Sequence, residues 1–326
     1  MFDLITFGET MLRLTPEGSK VIEQVNSLNM YPAGCEMNVA VAASRLGLSV
    51  SYITSLASNP LGRFIYNKCR EQGVDTGWIK WSKYRQGLYF FENGTPPRPG
   101  IAYYDRENSA FSRIEMDDFE WESILKNTRV FFTSGINPSL NRNVNNITLN
   151  AVKTARKMGK IVAFDINYRS KLWGYEEARK TIKDYLPFID ILFTSASDAE
   201  YVLNIKESPG EEMVKKIAEE YCIPTISLIY RPEKEKDSIW KIICLSDGNI
   251  YTAEQRGELV TVDRLGAGDA FAGGFLTGYL ESGPELGVNL GNVLITMNNT
   301  YSGDICWITR EQAFSFLKEN NNLVER

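Results

Sequence analysis

Strand-like runs and helix-length segments alternate through the second half of the chain, and this alternation constrains the fold more than any other feature. The runs lie at 130–134, 161–166, 189–194 and 224–229, and the helix-length segments between them at 141–158, 175–186 and 210–221. Alternation of this kind predicts parallel strands with helices on both faces of the sheet. We therefore expect an α/β fold.

The other segments extend this pattern and add a small β excursion. Strands are expected at 3–7, 50–56 and 258–262, and helices at 37–46, 60–72, 268–281, 284–299 and 310–319. Hairpins are expected at 86–105, around a Pro/Gly-rich turn, and at 240–255, after the polar stretch 231–237. No repeat or low-complexity linker divides the chain. We expect one domain over 1–326, with the β excursion formed by about 11–33 and 86–110.

Composition excludes several chemistries. The chain contains no histidine, so a Ser-His-Asp triad, a His-liganded metal and a His general base are excluded. Protons must move through carboxylates, Lys, Tyr or Cys. Lys plus Arg number 36 and Asp plus Glu number 41, for a net charge of −5, which argues against a nucleic-acid partner held by bulk attraction.

Cysteine usage and hydropathy bear on the compartment. Five cysteines without a CxxC pair argue against a zinc site or a disulfide framework and favour buried thiols in a reducing compartment. The N-terminal MFDLITFGE does not resemble a signal peptide, and no window approaches about 18 uninterrupted apolar residues. We expect a cytoplasmic protein with no membrane partner.

The strongest local motif runs from Asp263 to Gly274, DRLGAGDAFAGG. Gly266, Ala267 and Gly268 allow a tight turn whose N–H groups, together with the dipole of the helix that follows, form an anion site. Asp269 stands beside that site, where a carboxylate can receive a hydroxyl proton during phosphoryl transfer. A dinucleotide fingerprint and a Walker loop both lack their required residues. The alternative is a glycine-rich helix start used for packing, with Asp269 as its N-cap.

The motif D-x-x-GAGD-x-F-x-x-G resembles the C-terminal signature of the ribokinase-like (PfkB) carbohydrate kinases. The segment AGCEMNVA at 33–40 resembles their N-terminal signature. This resemblance implies a Rossmann-like three-layer α/β/α sandwich with a small β-sheet lid, which often pairs with a second lid in a homodimer. It also implies ATP and Mg²⁺ as cofactors, with the metal held largely through waters.

Other segments resemble the 2-keto-3-deoxygluconate kinases of that family. They are 8–16, GLYFFENG at 87–94, YDR at 104–106, DINYRSKLW at 165–173 and SGDICW at 302–307. The resemblance implies substrate-binding roles for eight residues: Gly34, Asn38, Tyr89, Tyr104, Arg106, Asn167, Arg169 and Asp304. A sugar acid carries a carboxylate, which the guanidinium groups of Arg106 and Arg169 could flank.

These residues also have plainer interpretations. The lid tyrosines could pack a hairpin or a dimer contact, Arg106 could be a solvated charge, and Arg169 could pair with Asp165 or Glu176. The sequence departs from the family on the nucleotide side, where Ser195, Asp198 and Ser227 are the expected cofactor-binding residues beside Gly266 and Gly268. Asp198 is also expected to assist the magnesium from its outer shell. ATP is the expected donor, and GTP remains open.

The predicted reaction transfers the γ-phosphoryl group of ATP to the C6 hydroxyl of 2-keto-3-deoxygluconate. Asp269 is its expected base. Alternatives are a PfkB kinase for another sugar, such as fructose or ribose, and a catalytically silent sugar-acid sensor on the same fold.

Overall fold

The computed structural model describes residues 1–232, 240–255 and 259–318. The strands are β1 (Phe2–Phe7), β2 (Met11–Thr15), β3 (Asn29–Ala33), β4 (Val50–Ile53), β5 (Ser55–Ala57), β6 (Lys80–Ser82), β7 (Leu88–Glu92), β8 (Ile101–Asp105), β9 (Thr128–Ser134), β10 (Ile161–Asp165), β11 (Ile191–Ser195), β12 (Thr225–Tyr230), β13 (Lys241–Ser246) and β14 (Asn249–Glu254). The helices are α1 (Cys35–Arg45), α2 (Pro60–Glu71), α3 (Trp121–Leu125), α4 (Ile136–Leu140), α5 (Arg142–Lys157), α6 (Tyr175–Lys183), α7 (Ala196–Tyr201), α8 (Glu211–Tyr221), α9 (Ala267–Ser282), α10 (Pro284–Asn298) and α11 (Arg310–Lys318).

An eight-stranded sheet forms the centre, in the order β14-β13-β12-β11-β10-β9-β1-β4. The strands from β12 to β4 are parallel, whereas β13 and β14 add an antiparallel hairpin at one edge. The predicted α/β architecture is therefore confirmed, with a mixed rather than wholly parallel sheet.

Alternate residues of the central strands face opposite layers of helices, as the two-residue period of a strand requires. In β9, Phe131 joins the apolar cluster that contains residues of α5 and α8. Its neighbours Val130 and Phe132 join the cluster that contains residues of α1 and α9. Both faces are thus buried, which produces the three-layer sandwich.

Local signals explain where several helices begin. Asn59 accepts hydrogen bonds from the N–H groups of Leu61 and Gly62, with Pro60 as the first residue of α2. Asn141 accepts one from the N–H of Val144 at the start of α5. Such side-chain caps satisfy donors that have no acceptor within the helix.

A second sheet, called the lid here, lies over the candidate active site that is described below. Its order is β3-β2-β7-β8, and its strands come from the expected segments 11–33 and 86–110. The hairpin predicted at 86–105 is confirmed, because β7 and β8 pair antiparallel from Leu88↔Asp105 to Glu92↔Ile101.

Two strand predictions were wrong in detail. The run 50–56 divides into β4, which pairs with β1, and β5, which pairs with β6 in a separate two-stranded sheet. Residues 259–262 form no strand, and Val260 is 83% exposed. Residue 258 and most of the polar stretch 231–237 lie outside the described residues. None of the helices in the described ranges has the length and hydropathy needed to span a bilayer.

Candidate active site

The start of α9 is fixed by a turn that only glycine fits well. Gly266 caps the helix with φ +77°, and a Cβ there would lie 2.0 Å from the backbone oxygen of Asp304. Gly268 has open space where a Cβ would stand. The first N–H groups of a helix have no acceptor within it, so those at the start of α9 are available to an anion.

Asp269 is the third residue of α9, and Gly266 is the N-cap, so the alternative in which Asp269 caps the helix is wrong. Its side chain is buried, and its Oδ2 accepts a hydrogen bond from Asn38 Nδ2 at 2.7 Å. Asn38 lies in the first turns of α1, where its own Oδ1 is buried without a hydrogen-bond partner among the described residues. Asn38 therefore orients the carboxylate and has an acceptor to spare.

Two cavities meet at Asp269. The first, of about 590 Å³, lies between the lid and the ends of the central strands, and it is called the lid-side cavity here. The second, of about 410 Å³, lies over the ends of β11 and β12 and is called the strand-end cavity. Gly266, Asp269 and Arg169 line both of them. A group bound in one cavity can therefore approach a group bound in the other at the Asp269 carboxylate.

The lid-side cavity contains most of the residues expected to bind sugar. Gly34, Asn38, Tyr89, Tyr104, Arg106, Arg169 and Asp304 line it. Asn167 lines the strand-end cavity instead, and its Nδ2 lies 3.2 Å from the sulfur of Cys35. Gly34 is required for a protein contact, since a Cβ there would lie 2.3 Å from the backbone oxygen of Glu9.

The two arginines have different surroundings. Arg106 is mostly buried and forms an ion pair with Glu9, with its Nε 3.0 Å from Glu9 Oε2, so it is not a solvated charge. Arg169 is exposed, and the ion pairs among the described residues include neither Arg169–Asp165 nor Arg169–Glu176. The exposed guanidinium of Arg169 opposes the rise in the pKa of Asp165 and of Asp198, whereas that of Arg106 is paired with Glu9.

Lys171 is a further basic residue that lines the lid-side cavity, and the sequence analysis did not predict it as a site residue. Its Nζ donates to the backbone oxygen of Ala102 on β8 and lies 5.8 Å from the centre of the Tyr104 ring. Tyr104 in turn packs on Tyr89, with 5.6 Å between ring centres. The only sequence signal was its position within the segment 165–173.

The strand-end cavity collects carboxylates. Asp165, Asp198 and Asp269 all line it, and a ligand atom from each of Cys35, Asp165 and Asp269 lies within 4.8 Å of the others. Burial raises the pKa of Asp198 to about 6 and raises the pKa of Asp165 well above its ordinary value, with Asp269 adding to the latter. Crowded carboxylates of this kind favour a proton or a cation.

The expected nucleotide-side residues also line this cavity. Ser195 caps α7 by accepting from the N–H of Asp198 at 3.1 Å, which occupies its hydroxyl locally. Ser227 is fully buried, and its Oγ has no hydrogen-bond partner in the ranges that the structure describes. A buried hydroxyl without a partner is costly, so this hydroxyl is a polar group whose hydrogen bonds the described residues do not supply.

Asp304 and Arg13 form a buried network that the sequence did not reveal. Asp304 Oδ1 accepts from Arg13 Nη1 at 3.0 Å, and its Oδ2 accepts from the Tyr89 hydroxyl at 3.1 Å. Burial raises the pKa of Asp304 to about 6, partly offset by Arg13. Asp304 thus borders the lid-side cavity while its two oxygens are already engaged by protein donors.

Fold and site together give an α/β sandwich in which two cavities meet at one carboxylate beside a helix start. The family model described as pfkB family carbohydrate kinase matches residues 1–294. The chain is 33% identical over 326 residues to the 2-dehydro-3-deoxygalactonokinase of Haloferax volcanii, covering 99% of each. It is 27% identical over 329 residues to the 2-dehydro-3-deoxygluconokinase of Bacillus subtilis, covering 99% of this chain and 98% of that one.

A solved structure gives the same result. The 2-dehydro-3-deoxygluconokinase of Thermotoga maritima superimposes with a TM-score of 0.92 at 31% identity, covering 98% of this chain and 100% of that one. The chain belongs to the pfkB family of carbohydrate kinases. It is accordingly a phosphotransferase with an alcohol acceptor. The relatives described above, to which it is similar, are named as kinases of sugar acids.

Proposed function

We propose that this kinase transfers the γ-phosphoryl group of ATP to the C6 hydroxyl of 2-keto-3-deoxygluconate, which is the 2-dehydro-3-deoxygluconate of the relatives' names. The product is 2-keto-3-deoxy-6-phosphogluconate. The observation that carries the proposal is the position of Asp269, which lies where the lid-side cavity meets the strand-end cavity.

Asp269 acts as the base in this proposal. Asn38 donates to Oδ2 of Asp269, and the carboxylate receives the proton of the sugar hydroxyl. The hydroxyl oxygen forms a bond to the γ-phosphorus while the bond from that phosphorus to the β-phosphate oxygen breaks, and ADP leaves. The N–H groups at the start of α9 stabilise the charge on the phosphoryl group while it moves. Because Gly268 has no side chain, the phosphoryl group can approach this backbone closely.

The strand-end cavity suits Mg²⁺ and a nucleotide. Carboxylate oxygens are the ligands that Mg²⁺ prefers, usually with several retained waters, and Asp165 and Asp198 would hold it in that way. When bound, the ion neutralises charge on the donor phosphates. The partnerless hydroxyl of buried Ser227 adds a polar contact for the nucleotide.

The lid-side cavity suits an anionic sugar. Arg169 is exposed at its wall, Arg106 lies across it, and Lys171 supplies a third positive charge. Guanidinium groups bind carboxylates through paired, charge-assisted hydrogen bonds. The ion pair between Arg106 and Glu9 leads us to assign the larger share of carboxylate binding to Arg169.

A second candidate substrate is 2-keto-3-deoxygalactonate, which differs from 2-keto-3-deoxygluconate in configuration at C4. The specific observation in its favour is the 33% identity to the Haloferax volcanii enzyme named for that substrate. Both substrates carry the carboxylate and the terminal hydroxyl, so the chemistry at Asp269 is the same for both.

Turnover with a panel of acceptors tests the proposal. The panel contains both sugar acids, fructose and ribose, each with ATP and with GTP, and product NMR locates the phosphate. We expect the gluconate-derived acid to give the highest kcat/KM and phosphorylation at C6. Preference for the C4 epimer would favour the second candidate, preference for fructose or ribose would remove the sugar-acid assignment, and no turnover would favour the silent sensor.

Arginine variants test how the acid is bound. We expect Arg169→Ala to lower kcat/KM for the acid, with a loss of transition-state binding energy of about 1.5–3 kcal/mol. Arg106→Ala should cause a smaller loss. Fructose and ribose should be little affected, and Arg85→Ala, at an exposed lid ion pair, serves as the control. Equal losses for acids and neutral sugars would show that both arginines are structural.

The lid also supports a homodimer. β8 is an edge strand of the lid sheet, and it exposes Ile101 and Tyr103, at 37% and 48%. An unpaired apolar edge favours association with a second copy. Light scattering during size-exclusion chromatography should give twice the mass of one chain, and Tyr103→Glu should shift the population to monomer. A monomeric wild type would refute the dimer.

A further inference from the structure

Arg13 is the largest fully buried side chain of the described residues, and it lies away from the reacting atoms. It extends from β2 of the lid with none of its side chain exposed. Its Nη2 lies 2.7 Å from Asp263 Oδ2, and its Nη1 lies 3.0 Å from Asp304 Oδ1. Its guanidinium also stands 4.8 Å from the centre of the Phe91 ring. One cation thus lies between two carboxylates, out of contact with bulk solvent.

One of these carboxylates shapes the anion-binding turn. Asp263 Oδ1 accepts from the N–H of Leu265 at 3.1 Å, and its Oδ2 accepts from the N–H of Gly303 at 3.2 Å. These bonds fix the turn that leads into Gly266 and the first residues of α9. We call the Arg13–Asp263 contact the loop arm.

The other carboxylate shapes the sugar-side wall. Asp304 Oδ2 accepts from the hydroxyl of Tyr89, and Tyr89 lines the lid-side cavity. The backbone oxygen of Asp304 also packs against Gly266, so this residue touches both parts of the site. We call the Arg13–Asp304–Tyr89 contact the sugar arm.

Stability alone does not explain the buried position of Arg13. A buried ion group is weak support for stability, since desolvation offsets much of the attraction between the charges. With one positive and two acidic groups, this triad also has fewer cations than anions. Its geometry connects β2 of the lid to the anion-binding turn and to a sugar-cavity tyrosine at the same time.

We infer that Arg13 is a positioning residue that holds the sugar-side wall and the phosphate-binding turn in register, so that the acceptor hydroxyl and the phosphoryl group meet at Asp269. The inference rests on the proposed function for the role of Asp269 and the use of the two cavities. It does not depend on which sugar acid is the substrate.

The two arms can be weakened separately. Asp304→Asn weakens the sugar arm and Asp263→Asn weakens the loop arm. Each asparagine keeps one acceptor oxygen and loses the second, because its amide NH2 group cannot accept a hydrogen bond. Arg13→Lys keeps the charge and loses the fork that reaches both carboxylates. The matched control is Arg85→Lys, which makes the same change at the exposed lid pair with Asp105.

Steady-state kinetics should be measured with the acceptor that wild type uses best, so that a wrong substrate assignment does not affect the outcome. Asp304→Asn should raise KM for the sugar about tenfold with kcat little changed. Asp263→Asn should lower kcat about tenfold with KM for the sugar little changed. Arg13→Lys should show both effects, with a loss of about 100-fold in kcat/KM, because small misplacements of reacting groups have effects of this order.

Thermal unfolding and active-site titration with a tight-binding nucleotide analogue should accompany the kinetics. A purely structural role would lower the active fraction, and with it kcat, in all three variants alike while KM stayed constant. That pattern would overturn the inference, as would wild-type kinetics in folded Arg13→Lys. If Arg13→Lys does not fold, the two asparagine variants decide the question: an effect on KM in Asp304→Asn and on kcat in Asp263→Asn supports the inference, and the same effect in both overturns it.

Discussion

Glu36 presents a carboxyl group that the fold buries completely, one residue into α1, and replacing it should change how stability depends on pH. The side chain is 1% exposed, and Ser134 Oγ donates to its Oε1 at 2.6 Å. Burial raises the pKa of Glu36 from 4.5 to about 8, and the hydrogen bond from Ser134 offsets only part of this rise. At neutral pH the folded protein therefore keeps a proton on Glu36 that the unfolded chain releases.

The sign of the effect follows from this difference. Between pH 4.5 and about 8 the folded state binds one more proton at Glu36, so the free energy of unfolding falls as pH rises. The slope is about 1.4 kcal/mol per pH unit, and over the whole window it sums to about 5 kcal/mol. Glu36→Gln has nearly the shape of the protonated acid but cannot ionise, so this loss should disappear in the variant.

Urea unfolding followed by tryptophan fluorescence at several pH values from 5 to 9 measures the effect. The free energy of unfolding of Glu36→Gln minus that of wild type should rise through this range and level off above about pH 8. Glu122→Gln, at a side chain that is 76% exposed, should show no such rise. A difference that stays flat across the range would refute the assignment of a protonated buried Glu36.

Three further predictions concern the site itself. Asp269→Asn should lower kcat by about 10²–10⁴ with sugar affinity retained, as measured by turnover and calorimetry, and near-normal turnover of folded variant would remove Asp269 from the mechanism. Gly266→Ala should destabilise the fold by more than the roughly 1–2 kcal/mol that a left-handed backbone costs an alanine, because the new Cβ would also clash with Asp304. Gly18→Ala is the control, since Gly18 has φ +66° and open space around it, so chemical unfolding of this variant measures the backbone strain alone. Equal losses of stability in the two variants would contradict the clash. Ser227→Ala should raise KM for ATP about three- to tenfold without loss of stability in thermal unfolding, and an unchanged KM would place the nucleotide elsewhere.

The sequence predicted most of the central sheet, because the apolar period of a strand and the glycines and caps that bound helices are local signals. The error at 259–262 has the opposite origin. ELVTV has the composition of a strand, but the N–H of Val262 bonds to the backbone oxygen of Asn299, just after α10. Within the part of the chain that the structure describes, no strand pairs with 259–262. The run 50–56 was predicted as one strand, but its two parts belong to different sheets. The composition of the run does not indicate where one sheet ends and the other begins.

The candidate site divides in the same way. The turn at 266–269 could be predicted, since its glycines and its acid are adjacent in sequence. The pairing of Arg106 with Glu9 and of Asn38 with Asp269 could not, because it depends on how distant segments are packed. In the sequence, Arg13 is one residue of the segment 8–16, and its neighbours do not indicate that it lies between two carboxylates.

The distance along the chain between Arg13 and Asp304 has a consequence for biosynthesis. The two residues are separated by 291 positions, and Asn38 and Asp269 by 231. A ribosome-bound chain therefore has the lid residues of the sugar-side wall long before it has its base, and the base precedes Asp304, which completes that wall and packs against Gly266. Phosphoryl transfer should begin only when nearly the whole chain has been released and folded. Newly made enzyme in a translation reaction should accordingly gain activity in a single late step.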